Sequence, residues 1–497
     1  MIHLRKNIIL TGICLSVLTQ TWGMEQLSLE DAIQVTLENN FAFRIASIDP
    51  EIARDQFTGE EAAFDSEIFA SGQVSQSERT LTFDNNVGTS SDTRNWQAGV
   101  RKRLIYGTTV TARTNLDRNA GNAADLTSSL SQEADLAISL RQPLMRGFGR
   151  EVNTAGIERA RAGFEASIES YRDTVQAIIA QTEAAYWSVA RWQEQLELNK
   201  SNLEVAEALL EEARERERVG MVTHIEVLQA EASRAERLEE IIATRRSLGD
   251  AYDALLTAMG VLPDVSTQGT DPEHTVESLP ESGRDIPEFA NLWNMALERD
   301  PVLAAQEAVM EQRRWDEVAA RSATRPNLDL VLSGAYSGVD KELARDAYES
   351  AFNRDGHFWS VGLEFSMPWG MRQEKADLRT ASKRLEQEDI RYAELRQSLF
   401  REVRATYRNL NAVRQSLEAA TLTVQLQEAT FDREKSKYEQ GLSAIRDLLE
   451  EQSALDQARI RLLRSKFNQL STEIEMARLS GTIFQRHGIS PELPQLD

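Results

Sequence analysis

Two rows of apolar residues, each spaced by seven, approach a single glycine at position 220, and no other feature constrains the chain as much. Ile157, Phe164, Tyr171, Ile178, Ala185 and Trp192 form one row, and Ile168, Val175, Thr182, Val189, Leu196, Leu203 and Leu210 form the other. Their offsets of four and three residues are those of a coiled-coil seam. No proline interrupts Thr154 to Val219, so the spacing predicts one helix about 100 Å long. Beyond Gly220 a return arm carries Leu228, Ala235, Ile242, Gly249 and Leu256 beside Ile241, Leu248, Leu255 and Leu262, and Pro263 stops it. The expected hairpin covers about 154–262 with its tip at Gly220.

The pattern recurs. Val403, Leu410, Leu417, Val424, Phe431 and Tyr438 lead to Gly441, and Leu448, Leu455 and Leu462 with Ile460, Phe467 and Ile474 lead away from it. At the tip-to-tip offset of 221 residues, Leu196, Leu203 and Leu210 map onto Leu417, Val424 and Phe431. The stretch Glu288–Pro301 also echoes Leu29–Phe41. Such self-similarity predicts a duplicated unit. The first repeat is 24–263, a polar, Pro- and Gly-containing linker is 264–287, the second repeat is 288–480 with its hairpin at about 372–480, and 481–497 is a tail.

Each hairpin is preceded by a change of period. Within about 67–141, Trp96-Ala98-Val100, Val110-Ala112-Thr114-Leu116 and Leu136-Ile138-Leu140 alternate with polar residues; within about 327–367, Leu328-Leu330-Leu332 and Trp359-Val361-Leu363-Phe365-Met367 do the same. This is the period of strands with one apolar and one polar face. Asp84–Gly88 and Asn119–Asn122 have loop compositions. The first repeat holds two strands, or four if Tyr106-Gly107 is a turn. An even number of crossings is required for each long helix to leave on the side where its repeat began. Pro143, Gly147 and Gly149 in the first repeat, and Pro368 and Gly370 in the second, are expected strand-to-helix hinges. The first is no phosphate loop, because Val152 stands where a third glycine would be needed.

Arg5 and Lys6 ahead of the apolar run Ile8–Leu18, with Thr21 and Gly23 before Met24, predict a signal peptide over 1–23. The run is shorter than the roughly 20 residues of a spanning helix, so any membrane crossing falls to strands. Cys14, the only cysteine, lies inside it; without a small residue directly before it, signal cleavage is favoured over a lipid anchor. The formal charge of −23 argues against nucleic acid as a partner. Five scattered histidines and ten unclustered methionines predict no metal site, His224 and Glu226 lack the spacing of a zinc helix, and no catalytic or cofactor constellation is present. Trp359 and Trp369 bracket one strand as an aromatic girdle does.

Signal peptide, duplicated layout, Gln142-Pro143-Leu144-Met145-Arg146-Gly147-Phe148-Gly149 before a long helix, and glycine tips followed by an apolar-acidic stretch together resemble the TolC family of outer-membrane efflux proteins. The resemblance covers nearly all of the mature chain. It implies a mainly α fold with a β membrane part: a homotrimer whose strands close one barrel in outer-membrane lipid and whose helices form a periplasmic tunnel. The tunnel docks to a periplasmic adaptor protein and an inner-membrane pump or ABC transporter. The implied function is an exit duct for efflux or type I secretion, not an enzyme; the other reading of the same residues is a periplasmic coiled-coil scaffold with a soluble β cap. By position, Tyr438, Asp447 and Glu450, with Glu226 at the first tip, match the family's entrance constriction, although Ser443 replaces its basic residue and Arg446 is the nearby substitute. Taken as a solvated charged face, the same acidic residues need no function. Val219, Gly220, Met221, Gly441, Leu442 and Ser443 are the implied adaptor-docking tips.

Overall fold

The computed structural model describes residues 26–81, 87–123, 126–262, 275–280 and 287–489. The expected signal peptide, most of the expected linker, the Asp84–Asn86 part of one expected loop and residues 490–497 of the tail lie outside the described residues. The chain forms two compact units. One takes the described residues of 1–40, 178–285 and 409–474, and the other those of 41–177, 286–408 and 475–497.

The second of these holds a six-stranded antiparallel sheet in simple meander order: β1 (Ser66–Leu81), β2 (Val87–Arg103), β3 (Thr109–Ala123), β4 (Leu126–Pro143), β5 (Asn327–Asp340) and β6 (Gly356–Ser366). The first repeat therefore has four strands. Leu104 to Thr108 make the turn between β2 and β3, closed by Leu104 N–H to Thr108 O at 2.8 Å, with Gly107 at φ +89°. The loop expected at Asn119–Asn122 is overturned. Those residues continue β3, with Asn119 opposite Thr93 and Gly121 opposite Ser91, because a ladder satisfies backbone groups whatever side chains it carries. α7 (Ala344–Phe352), which periodicity did not single out, packs across β4 and β5.

Helices α1 (Leu29–Asn39) and α2 (Phe41–Glu61), then α5 (Phe289–Arg299) and α6 (Pro301–Ala323), precede the strands in the element order of each repeat. Ser28 Oγ caps α1 by accepting from Asp31 N–H at 3.1 Å, and Asp300 caps α6 by accepting from Leu303 N–H at 2.8 Å, with Pro301 in the first turn where its missing N–H costs nothing.

The long helices are α3 (Arg150–Arg218), α4 (His224–Met259), α8 (Arg372–Glu439) and α9 (Ile445–Leu479), followed by short α10 (Ile483–His487). All four end in the same cap. At Gly220 and Gly441 the glycine N–H reaches back three residues and the next N–H reaches back five, and Gly260 and Gly481 repeat this. Both pairs stand 221 residues apart. All four glycines have φ between +65° and +77°, the left-handed conformation this motif requires.

In α3 the row Val175, Thr182, Val189, Leu196 and Leu210 is buried. In α4 the row Ile241, Leu248 and Leu255 is buried, whereas Leu228 and Ile242 are exposed, so the first seam of the return arm does not face this chain's own core. The start of the first repeat is pinned nearby: Tyr186 Oη donates to Leu27 O at 2.7 Å and accepts from Glu277 N–H at 3.0 Å, while Leu27 forms a parallel bridge with Val276.

Candidate functional site

Two places carry the chemistry: the sheet and the hairpin tips. The registers of all five strand pairs line up residues straight across the sheet. One row is Ile68, Val100, Ala112, Ile138, Gly334 and Trp359. The next row on the opposite face is Glu67, Arg101, Thr111, Ser139, Ser333 and Ser360. One face is thus apolar; it is open at Ile68 and Trp359, 84% and 73% exposed, and α7 lies over it at Gly338. The other is polar and internally bonded. Arg101 pairs with Glu67 at 3.2 Å, Arg141 with Asp329 at 2.7 Å and Glu364 at 2.8 Å, Ser333 with Ser360 at 2.6 Å, and Asn95 with Asp117. An exposed apolar face this broad is unstable in water and stable against lipid, while the polar face suits a water-filled lumen. No described helix is long and apolar enough to cross a membrane.

At the edge of this sheet the hinge residues redirect the chain. Gly147 and Gly149 have φ +77° and +101°, and Asn153 Nδ2 donates to both of their carbonyls at 2.8 and 2.7 Å. Gly370 has φ +81° behind Pro368. A β-carbon on Gly149 would meet nothing within 4 Å, so backbone conformation rather than space selects glycine there.

The tips are built from all four long helices. Leu209, Leu210 and Ala213 of α3, Val227 and Ala230 of α4, Tyr438 of α8, and Ile445 and Leu448 of α9 form one buried cluster, with Phe431 and Leu449 against it. Val219, Met221 and Leu442 are exposed around the two glycines, and Ser443 Oγ is held by Glu434. Asp447 lies in the first turn of α9 and pairs with Arg446 at 3.0 Å. Glu450 is exposed and Glu226 partly so.

Tyr438 lies inside this cluster. The residue is 1% exposed and packs among residues of both hairpins. Arg216, which no sequence motif singles out, stacks 4.2 Å from the ring centroid and donates from Nη1 to Tyr438 O at 3.0 Å, while Nη2 pairs with Glu212 at 2.5 Å. Burial pushes the Tyr438 phenol up from its ordinary value; Arg216 opposes this, and Glu212 and Glu226 add to it. Among the described residues no group of three or more His, Cys, Asp or Glu is placed to hold a metal ion.

Fold and site together define a β-walled membrane channel subunit with a helical extension. A profile described as outer membrane efflux protein matches residues 101–261 and 292–482. The chain belongs to that family, and its place is the outer membrane, with the helical part in the periplasm. Among curated relatives, the outer membrane efflux protein BepC of Brucella suis is 24% identical over 425 residues, 82% of this chain and 87% of the relative. The outer membrane protein TolC of Escherichia coli is 24% identical over 328 residues, 63% of each chain. Among solved structures, the CmeC outer membrane channel of Campylobacter jejuni has a TM-score of 0.66 at 16% identity, covering 91% of this chain and 85% of that one. VceC of Vibrio cholerae has a TM-score of 0.65 at 15% identity, covering 91% and 96%. At those identities the structures speak for the fold. The relatives are efflux channel proteins rather than enzymes.

Proposed function

We propose that three copies of this chain form a passive exit duct of a tripartite efflux or type I secretion system, opened from the periplasm by an adaptor protein and an inner-membrane pump or ABC transporter. The observation that carries this reading is the sheet, apolar on one face, polar on the other and open at both edges. Lipid cannot satisfy an open edge, so a single copy is incomplete. The helices argue the same way. Phe41, Ile45, Ile48 and Ile52 of α2, Ile225, Leu228 and Ile242 of α4, and Leu422 and Leu426 of α8 are exposed apolar stripes of the kind that pack against neighbouring copies. The two repeats supply alternating parts of one wall, each with its strands, hinge, long helix and tip.

In this duct the tip residues Val219, Gly220, Met221, Gly441, Leu442 and Ser443 receive the adaptor. Asp447 and Glu450, with Glu226 from the first tip, ring the entrance and select for cations, and Tyr438 and Arg216 keep the ring narrow. The test is electrical. The purified protein should run as a trimer, fractionate with outer membrane, and conduct with cation preference in a planar bilayer; an Asp447→Ala/Glu450→Ala double variant should conduct more and lose that preference. Selectivity identical to the parent would sink the entrance assignment. A protein soluble without detergent and electrically silent would instead be a periplasmic scaffold.

A further inference from the structure

Among the described residues the sheet has two unpaired edges, β1 and β6, and every internal neighbour is antiparallel. β1 follows directly from α2 and its turn, β6 leads to α8, and β1 and β6 run in opposite directions because their number in the meander differs by five. The next copy's β1 can therefore lie beside β6 as one more antiparallel pair, with no strand reversed and no edge left over. The β1–β2 hairpin is a full part of this wall and not a flap outside it. Its residues Ile68 and Val100 continue the apolar row that ends at Trp359, and its Glu67–Arg101 ion pair continues the polar row.

We infer that β6 of one copy pairs with β1 of the next, so that three copies with six strands each close an eighteen-stranded barrel. This rests on the three-copy reading proposed above. With strands about 4.8 Å apart and tilted about 40°, such a barrel has a backbone diameter of roughly 36 Å and a bore of about 26 Å inside its side chains; without β1 and β2 the bore would be only about 14 Å. A helix is about 10–12 Å across, so the wider bore passes a helical hairpin of polypeptide, whereas the narrower one passes a single helix. The membrane end is then wide enough for polypeptide cargo as well as small solutes.

Cysteine cross-linking tests which strand is the edge, and the only natural cysteine, Cys14, lies far from the sheet in sequence. Ala70→Cys in β1 is combined in turn with Trp359→Cys, Val361→Cys and Leu363→Cys in β6, so that the unknown register is sampled; a parallel set replaces Ala70→Cys with Ala112→Cys in β3. The expected result is a reducible ladder up to trimer on denaturing gels for at least one β1–β6 pair and for no β3–β6 pair. Cross-linking from β3 would make the wall four strands per copy and overturn the inference, as would no cross-link at any register in a particle of three-copy native mass. A native mass other than three copies overturns the three-copy reading, whichever edge reacts.

Discussion

Arg237 Nη2 of α4 lies 2.9 Å from Asp456 Oδ2 of α9, and the two side chains are only 6% and 3% exposed, so the first and second hairpins share an ion pair that water hardly screens. Arg237 also reaches Glu240 at 3.0 Å. Burial pushes Asp456 up to about 6, against the opposing pull of Arg237 and then Arg459, with Glu240 adding to the rise.

A carboxyl whose folded pKa is raised binds its proton in the folded state before the unfolded chain does, so its contribution to stability grows as pH falls from about 6 towards the ordinary value of 3.8 and is lost as pH rises through 6. The stability of the parent protein should therefore climb, relative to Asp456→Asn, across that window. Melting temperatures of detergent-solubilised protein between pH 4 and 8 check this, and parallel curves would contradict it. Arg237→Ala, which strands a buried carboxylate, should cost about 3–5 kcal/mol near neutral pH.

At the tips, Arg216→Ala removes both the stack on Tyr438 and the hydrogen bond to its carbonyl. In the proposed duct these together contribute about 1–2 kcal/mol to keeping the hairpins closed, so spontaneous openings in bilayer recordings should rise about fivefold to thirtyfold. Arg216→Lys keeps the charge without the planar guanidinium and should fall between. An Arg216→Ala channel as quiet as the parent would remove the clamp from the mechanism.

Tyr186→Phe leaves Leu27 O and Glu277 N–H without their shared partner and should destabilise by about 1–3 kcal/mol, visible as faster amide exchange around residues 26–33. Burial, as the largest cause, holds the Tyr186 phenol at about 12. The raised pKa means that the stability it confers is complete below pH 10 and disappears as pH rises through 12. The phenylalanine variant should lack that alkaline loss.

Gly338→Ala should release α7. A β-carbon there would collide with Ala347 O and Ala351 N, and backbone atoms cannot give way as the end of a side chain can. Trypsin should then cut faster at Lys341, Arg345 and Arg354 while strands β4 and β5 stay protected. Unchanged cleavage would mean that the helix shifts intact.

Much of this architecture was legible beforehand, and the misses share a cause. The rows through Val175 to Leu210 and through Val403 to Tyr438 mark helices because a seven-residue repeat over nine turns has no other regular solution. Periodicity shows that a face is apolar and not what covers it; hence Leu228 and Ile242 read as an internal seam yet lie open. β1 was faint because Ala70 and Gly72 dilute its apolar row and Phe69 stands on its polar row, and Asn119–Asn122 misled because strand ends beyond an apolar band carry loop-like residues. Arg216 and Asp456 were hidden among the charged residues of these helices, where position in the seam decides whether a charge is solvated or paired. Tyr438 was found by its distance from Gly441, but spacing along the chain could not say that its ring points inward.

The meander order of the sheet sets a rule for how such a duct can change calibre. A hairpin leaves and returns on one side of the membrane, so strands are gained or lost in twos and the helices outside need not be rethreaded. In an assembly of three, one hairpin such as β1–β2 alters the circumference by six strands, about 12 Å in diameter. Pore width in this architecture is therefore stepped rather than continuous, and selection for intermediate cargo sizes must act on the side chains that narrow the bore.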